Sequence, residues 1–243
     1  MKGFLCSVKG NEYEHLIYNV VKHTYINGKQ FNIQKETDLA GCSSKNDICC
    51  IYKDKEIGIE AKKYRTPDWM QCSIKYDKLN LKWYTGVTHK IPKRCVDIFN
   101  SLINKLNIFN GKVPPFIEHN LTHSDWMKIK KSTTTWNDTY IDIPDMTISN
   151  LYKLKGCYYI QISQYGLYHT GIDICGFGVP KFELKQRLRI RTKIHTRKAK
   201  DGFCKLSVTV SCQPNKISNL DKSPYSLDDK TKLPPTLIYK ESS

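Results

Sequence analysis

The spacing of hydrophobic residues predicts a helix near the start of the chain. Over residues 11–25 apolar side chains recur every three or four positions, at Tyr13, Leu16, Ile17, Val20 and Val21. Asn27 and Gly28 then supply a helix stop signal. Residues 31–35 alternate between apolar and polar side chains, as strands do, and a polar loop follows over residues 37–45.

A β-hairpin is predicted next. Two predicted strands, over residues 47–52 and 57–63, flank the polar turn 53–56. The run Ile48-Cys49-Cys50-Ile51 is continuously apolar, which is typical of a strand buried on both faces. We therefore expect two antiparallel strands in the interior of the protein.

The remaining chain gives signals for both helices and strands. A second helix is predicted from Pro67 and Asp68 to about residue 81, because proline in a first turn followed by an acid is a helix start signal. A third helix is predicted from Pro92 to about residue 106. Residues 111–155 give mixed signals, and strands are predicted over 158–163, 182–195 and 204–212.

The charge of the chain narrows the class of partner. Its 39 Lys and Arg against 23 Asp and Glu give a formal net charge of +16. Such an excess repels itself unless a polyanion or an anionic surface offsets it, so nucleic acid is the leading expected partner and an acidic membrane surface the second. No apolar run approaches the ~18–20 residues of a spanning helix. With no secretory signal in the first residues, we expect a soluble, intracellular protein of the cytoplasm or nucleus, without a membrane partner.

The predicted hairpin carries the candidate chemistry. Glu60 and Lys62 are two residues apart on a strand, so their side chains share a face. If Tyr52 pairs with Ile57, Asp47 lies opposite Lys62, on that same face and diagonal to Glu60. Two carboxylates can hold a hard cation such as Mg2+, and a neighbouring ammonium can orient water or stabilise developing charge. The alternative interpretation is a solvated hairpin with a cross-strand ion pair.

These residues resemble the metal centre of the PD-(D/E)XK nuclease superfamily, which includes type II restriction endonucleases, phage-type exonucleases and Holliday-junction resolvases. The resemblance covers about residues 11–81, in the order helix, strand, strand, strand, helix. It implies that Asp47 is the first metal-binding acid, that Glu60 and Lys62 form the E-x-K pair, and that the Ala61 carbonyl is a further metal ligand.

The resemblance extends to residues on the two predicted helices. Glu14 matches the acid that many members carry on the first helix, with Glu12 as a neighbouring candidate. Gln71 and Tyr76 are similar to a Gln and Tyr that some exonuclease-type members carry on the second helix, although their spacing is one residue longer. Asn46 stands where the superfamily usually has proline.

The resemblance implies a DNA endonuclease of the restriction-enzyme type that uses Mg2+ or Mn2+. An exonuclease or a Holliday-junction resolvase with the same centre is the first alternative. A non-catalytic nucleic-acid-binding protein, in which the carboxylates are structural, is the second. The sequence does not specify an oligomeric state, and a homodimer is one alternative.

A cationic strand near the C-terminus is the candidate DNA-binding surface. Cations alternate with mostly apolar residues, so one face carries Arg187, Arg189, Arg191, Lys193 and His195. Such a face can follow a phosphate backbone, releasing counterions. Lys63 and Arg65, which follow the proposed centre, are further candidates. The alternative interpretation is an edge strand whose charges prevent aggregation.

Together these patterns predict an α/β (α+β) fold with a restriction-endonuclease-like core, in which helices flank a central mixed sheet, and a β-rich C-terminal extension. The predicted parts are a core of helix, sheet and helix with the metal site (1–83), a helical or irregular insertion (84–157), strands that complete the sheet and bind DNA (158–214), and a loosely ordered tail (215–243).

Overall fold

The computed structural model of the protein describes residues 2–33, 35, 46–66, 68–88 and 91–241, and for residues 2–9 it describes the backbone alone. These residues form a mixed α+β fold with four α-helices and twelve β-strands in three sheets. The α+β class is therefore confirmed. None of the described helices is long and apolar enough to cross a membrane. The predicted polar loop over 37–45 lies outside the described residues.

Helices and strands are numbered in chain order. The helices are α1 (Lys2–Val21), α2 (Lys93–Ile103), α3 (His123–Ser132) and α4 (Thr147–Lys155). The strands are β1 (Thr24–Ile26), β2 (Lys29–Gln30), β3 (Ile48–Tyr52), β4 (Lys55–Lys62), β5 (Met70–Asp77), β6 (Lys82–Tyr84), β7 (Thr139–Ile143), β8 (Cys157–Ile162), β9 (Gly166–His169), β10 (Gln186–Thr196), β11 (Lys205–Pro214) and β12 (Ile238–Tyr239).

The predicted hairpin exists and belongs to a four-stranded sheet, the first sheet, with the order β3-β4-β8-β9. Its turn is tighter than predicted, because Tyr52 pairs with Lys55 and only Lys53 and Asp54 connect the strands. Both turn residues have positive φ, 49° and 59°, as a two-residue hairpin turn requires. Strand β8 pairs with β4 in parallel and the other neighbours are antiparallel.

The other long strands form a five-stranded antiparallel sheet, the second sheet, with the order β6-β5-β11-β10-β7. The C-terminal strands are thus divided: β8 and β9 join the hairpin, whereas β10 and β11 build a sheet of their own. A small third sheet pairs β1 with β2 and with β12 near the C-terminus.

Hydrophobic residues cover both faces of the first sheet. On one face, Tyr13 and Ile17 of α1 pack in a cluster with Ile57 and Ile59 of β4. On the other face, Ile160 of β8 belongs to a cluster that includes α2, α4 and the second sheet. Helix α4 contacts both β8 and β11, so it connects the two large sheets. Glu60 of β4 is therefore buried and Lys62 is partly buried, whereas Lys55 and Glu56 at the start of the strand are exposed.

The predicted second helix is wrong. Residues 70–77 form strand β5, and β6 begins directly after the predicted span. The sequence Met70 to Tyr76 alternates strictly between apolar and polar residues, and Met70, Cys72 and Ile74 are buried. This period of two is the strand signal that the helix start signal obscured. Gln71 and Tyr76, five residues apart on a strand, project to opposite faces rather than lying together on a helix.

The predicted loose tail is also wrong. Residues after 215 contain two short 3-10 helices and strand β12. Leu227 is fully buried, and Leu220 and Leu237 are nearly so. The polar composition of this segment concealed leucines that are spaced far enough apart to anchor it to the core.

Two further predictions need adjustment. The predicted strand over 31–35 is reduced to a bridge between Asn32 and Cys50, and residue 34 lies outside the described residues. The predicted third helix exists as α2, although it ends at Ile103, and residues 111–155, which gave mixed signals, contain α3, β7 and α4.

Candidate active site

The hairpin brings Asp47, Glu60 and Lys62 together, although in a different register from the predicted one. Ile48 pairs with Ile59, which places Asp47 beside Glu60 rather than opposite Lys62. Because the register differs by two residues, an even number, the three side chains keep their common face. The Ala61 N–H donates to Asp47 Oδ2 over 2.9 Å and fixes the carboxylate at the end of β4.

Lys62 lies between the two carboxylates. Its Nζ is 2.5 Å from Glu60 Oε1 and 3.3 Å from Asp47 Oδ2. In the parallel register Glu60 and Lys62 lie beside Ile160 and Ile162 of β8, on the face that α4 covers. The cluster therefore sits between the first sheet and α4.

A second lysine that the sequence analysis did not identify completes the cluster. Lys155, in the last turn of α4, places its Nζ 2.8 Å from Glu60 Oε2. Gly156 ends the helix with a φ of 96°, and its carbonyl accepts a hydrogen bond from the Gly58 N–H over 3.0 Å. This bond joins the end of α4 to β4. A Cβ on Gly58 would lie 2.6 Å from the Gly156 oxygen, so only glycine allows the approach.

The surroundings perturb the acids in opposite directions. Burial alone would raise the pKa of Glu60, but Lys155 and Lys62 lower it to about 2. Burial and the charge of Glu60 raise the pKa of Asp47 above its ordinary value, and the two lysines only partly oppose this. Glu60 thus remains ionised, whereas the charge on Asp47 is less well compensated.

Glu14 approaches the cluster from α1. Burial raises its pKa to about 7, with a further contribution from the negative charge of Asp47 and an opposing one from Lys62. Its neighbour on the helix, Glu12, is exposed. Of the two acids that the resemblance offered on this helix, the structure brings Glu14 within electrostatic reach of the centre. A carboxyl group with a pKa near neutrality can take up or release a proton under physiological conditions.

The oxygen atoms of the cluster suit a hard divalent cation. The Lys62 carbonyl accepts a hydrogen bond from Ser163 N, on the β8 side of the strand. Successive carbonyls of a strand point to opposite sides. The Ala61 carbonyl therefore faces the other side, where Asp47 lies. Carboxylate and carbonyl oxygens are the ligands that Mg2+ prefers, with water and phosphate completing its shell. Among the described residues no three Asp, Glu, His or Cys side chains converge as a metal cage, so these oxygens provide an open, partial set.

A further buried polar atom borders the cluster. The Tyr152 hydroxyl of α4 has no hydrogen-bond partner, and the ring lies 5.8 Å from Lys62 Nζ and 6.0 Å from Lys155 Nζ. Cys157 contacts Glu60 Oε2 through its thiol and donates to Asn46 Oδ1 over 3.0 Å. Asn46 therefore has a structural contact of its own.

The cationic strand β10 has the predicted alternation, but two of its arginines contact acids. Arg189 binds Asp138 through Nε at 3.0 Å and Asp68 through a terminal nitrogen at 3.2 Å. Arg191 also contacts Asp68, at 3.0 Å. Asp68 in addition accepts hydrogen bonds from Ser211 and Gln213. Neither acid was predicted as a partner of this strand.

The other candidate DNA-binding cations are placed differently. Arg187 donates to Gln213 Oε1 over 3.0 Å and lies 4.3 Å from the centre of the Tyr140 ring. Lys193 is half-buried, as is Lys63. Arg65 is exposed, with its guanidinium 5.1 Å from the Tyr64 ring centre. These cations lie on one sheet face and on the segment that directly follows the acidic cluster.

Comparison with known proteins identifies no relative of this chain. No family model, no curated protein and no solved structure matches it. Function is therefore inferred from the residues and geometry of the cluster.

Proposed function

We propose that this protein is a metal-dependent deoxyribonuclease that hydrolyses phosphodiester bonds in DNA, with a restriction-endonuclease-like core of the PD-(D/E)XK type. The observation that carries the proposal is the convergence of Asp47, Glu60 and Lys62 at the end of β4, with Glu14 in electrostatic reach. A parallel strand beside the acidic strand and a helix on each face of the sheet support the same core.

The burial of these charges favours a functional site over an incidental ion pair. An exposed pair contributes only about 0–1 kcal/mol, and desolvating a buried pair offsets much of its attraction. The side chains of Glu60 and Lys155 are 4% and 1% exposed. The cluster therefore stabilises the fold little more than an apolar cluster of equal volume would. Such clusters with opposed pKa shifts are typical of active sites.

Each residue of the centre has a distinct role in this proposal. Asp47, Glu60 and the Ala61 carbonyl would hold Mg2+ or Mn2+, which when bound activates water and offsets charge on the phosphate. Lys62 donates hydrogen bonds to the attacking water or to a phosphate oxygen. Glu14 accepts a proton at the edge of the site. Lys155 keeps Glu60 ionised and oriented.

The test compares wild type with Asp47→Ala and Lys62→Ala on linear and covalently closed circular DNA, with and without Mg2+. We expect metal-dependent cleavage by wild type and a loss of at least about 100-fold in each variant. Asp54→Ala is the matched control, since Asp54 lies in the turn of the same hairpin and is 84% exposed; it should cleave normally. Full metal-dependent cleavage by both site variants would show that the catalytic assignment of these residues is wrong, whereas DNA binding without cleavage by wild type would favour the non-catalytic alternative.

The form of the DNA separates the nuclease subclasses. Restriction-like endonucleases cut closed circles, whereas an exonuclease needs an end. Cleavage of linear DNA alone therefore favours the exonuclease alternative, and a strong preference for four-way junctions favours a resolvase. We expect cleavage of the circle.

A further inference from the structure

The hairpin formed by β5 and β6 exposes two leucines at its tip. Leu79 is 94% exposed and Leu81 is 74% exposed, the highest values among large hydrophobic residues in the described part of the chain. A leucine left in water forgoes about 1.5–3 kcal/mol that burial would supply. Single exposed leucines are common on protein surfaces, but two on one narrow tip form a local apolar feature.

The tip has a defined conformation. Asp77 Oδ1 accepts hydrogen bonds from Leu79 N at 3.0 Å and Asn80 N at 3.2 Å, and Asp77 Oδ2 accepts one from Asn80 Nδ2 at 2.7 Å. Leu81 has a φ of 49°, a left-handed conformation that is unfavourable for a leucine. Glycine or asparagine would fit this position with less strain, yet the residue there is an exposed leucine.

Aromatic packing fixes the base of the hairpin to the core. Tyr76 pairs with Trp83 across the hairpin, and their ring centroids are 5.1 Å apart. Trp83 in turn packs against Phe109. A rigid support of this kind limits the conformational entropy that the tip would lose on inserting into a partner.

Lysines surround the apolar tip. Lys75, Lys78 and Lys82 are all exposed, and β5 belongs to the same sheet as the cationic strand β10. A partner that fits must therefore offer negative charge outside and apolar surface inside. Double-stranded DNA has this arrangement, with phosphates on its surface and stacked bases within it. An anionic membrane also has it, but two leucines bury less apolar surface than a single acyl chain, which by itself binds membranes only marginally.

We propose that the β5–β6 hairpin is a DNA-inserting element, in which Leu79 and Leu81 enter the base stack while Lys75, Lys78 and Lys82 contact the flanking phosphates. Apolar side chains that insert between base steps unstack and bend the duplex. This inference rests on the proposed function only in taking DNA as the ligand, and it does not depend on the acidic cluster.

The test measures base unstacking without cleavage. Full-length protein is titrated in EDTA into duplexes that carry the fluorescent base 2-aminopurine at successive positions, since its fluorescence rises when it is unstacked. We expect wild type to raise the fluorescence at one or more positions. The variant Leu79→Ser/Leu81→Ser should lose most of that rise while its affinity for DNA stays within about threefold of wild type. Lys78→Ser/Lys82→Ser should instead weaken binding and reduce its salt dependence.

The matched control is Ile172→Ser, which removes an aliphatic side chain that is 64% exposed and lies outside the hairpin; it should behave as wild type. An unchanged 2-aminopurine signal at saturating wild-type protein would overturn the proposal, as would a leucine variant that keeps the rise. The proposal would also be overturned if the leucine substitutions left the 2-aminopurine signal intact and instead abolished binding to phosphatidylserine vesicles. The same holds if they abolished self-association in sedimentation experiments with that signal intact. Loss of cleavage in Asp47→Ala does not affect this readout, so the two proposals fail separately.

Discussion

The two large sheets place similar charges in different surroundings. In the first sheet, Glu60 is enclosed by Lys62 and Lys155 between β4 and α4, and the Lys155 side chain is 1% exposed. In the second sheet, Arg189 and Arg191 contact Asp68 at the edge of solvent, with side chains 17% and 21% exposed. Charges of the first kind lose most of their hydration, and those of the second kind keep part of it.

This difference determines which charged residues can exchange their present partner for another ion. A buried pair that loses one partner leaves an uncompensated charge, so the first cluster tolerates little change in its net charge. The network of the second sheet, which keeps part of its hydration, can release its arginines at a smaller cost in free energy. The second sheet is therefore able to offer Arg189 and Arg191 to another anion, such as a phosphate, whereas the first cluster accepts a new cation only by rearranging its lysines.

The largest expected effect comes from removing the central charge of the first cluster. Glu60→Gln leaves the buried Lys155 without its carboxylate partner and Lys62 with Asp47 alone, so the free energy of unfolding should fall by about 3–5 kcal/mol. Urea unfolding of metal-free protein, followed by circular dichroism, measures this change.

The control for Glu60→Gln is Glu183→Gln. Glu183 also contacts a lysine two residues away, Lys181, but its side chain is 62% exposed. The same chemical change there should leave the unfolding curve nearly unaltered. Equal effects of the two substitutions would show that burial does not distinguish the two environments as argued.

Asp68→Ala is expected to have a smaller effect on stability and a second effect on DNA binding. This change removes the shared acceptor of Arg189, Arg191, Ser211 and Gln213, and the free energy of unfolding should fall by about 1–3 kcal/mol. Because Arg191 is released and Arg189 keeps only Asp138 as an acidic partner, DNA binding in EDTA should tighten and its dependence on salt should become steeper. Fluorescence anisotropy at several salt concentrations measures both.

Asp138→Ala tests whether Asp68 is the centre of that network. Asp138 contacts Arg189 at its Nε, and Asp68 remains to hold both arginines. The loss of stability should therefore be smaller than for Asp68→Ala.

If DNA binding weakens in Asp68→Ala, the arginines of β10 do not contact phosphate and the cationic strand is only structural.

The smallest expected effect is a pH dependence that arises from Glu14. Its pKa rises from 4.5 to about 7 on folding, so the folded protein binds this proton more tightly than the unfolded chain. The associated stability is present below pH 4.5 and is lost as the pH rises through about 7. For a half-buried group screened by solvent, we expect about 1–2 kcal/mol between pH 5 and 8.

The measurement compares the unfolding free energy of wild type and Glu14→Gln across that pH range in EDTA. Wild type should lose stability relative to the variant as the pH rises. Glu12→Gln changes an exposed acid on the same helix and should keep the wild-type slope. A parallel pH profile for Glu14→Gln and wild type would mean that Glu14 does not sense the acidic cluster.

Prediction from the sequence was most successful where the signal was local. The period of two along β4 is sufficient to put Glu60 and Lys62 on one face, and it placed Asp47 there even though the register was wrong by two residues. The same period identified the alternation along β10. The same alternation is present in β5 from Met70 to Tyr76, but Pro67 and Asp68 match a helix start signal, and that signal predicted the wrong element.

The sequence by itself determined which side chains share a strand face, because alternation follows from the geometry of a single strand. It also determined the large positive charge. Only the tertiary structure decided that Lys155 reaches Glu60 across 95 residues of chain, that Asp68 holds two arginines of β10, and that Leu79 and Leu81 stand on an isolated tip. These contacts depend on how helices and sheets pack against one another, and no local pattern of hydrophobic and polar residues specifies that arrangement.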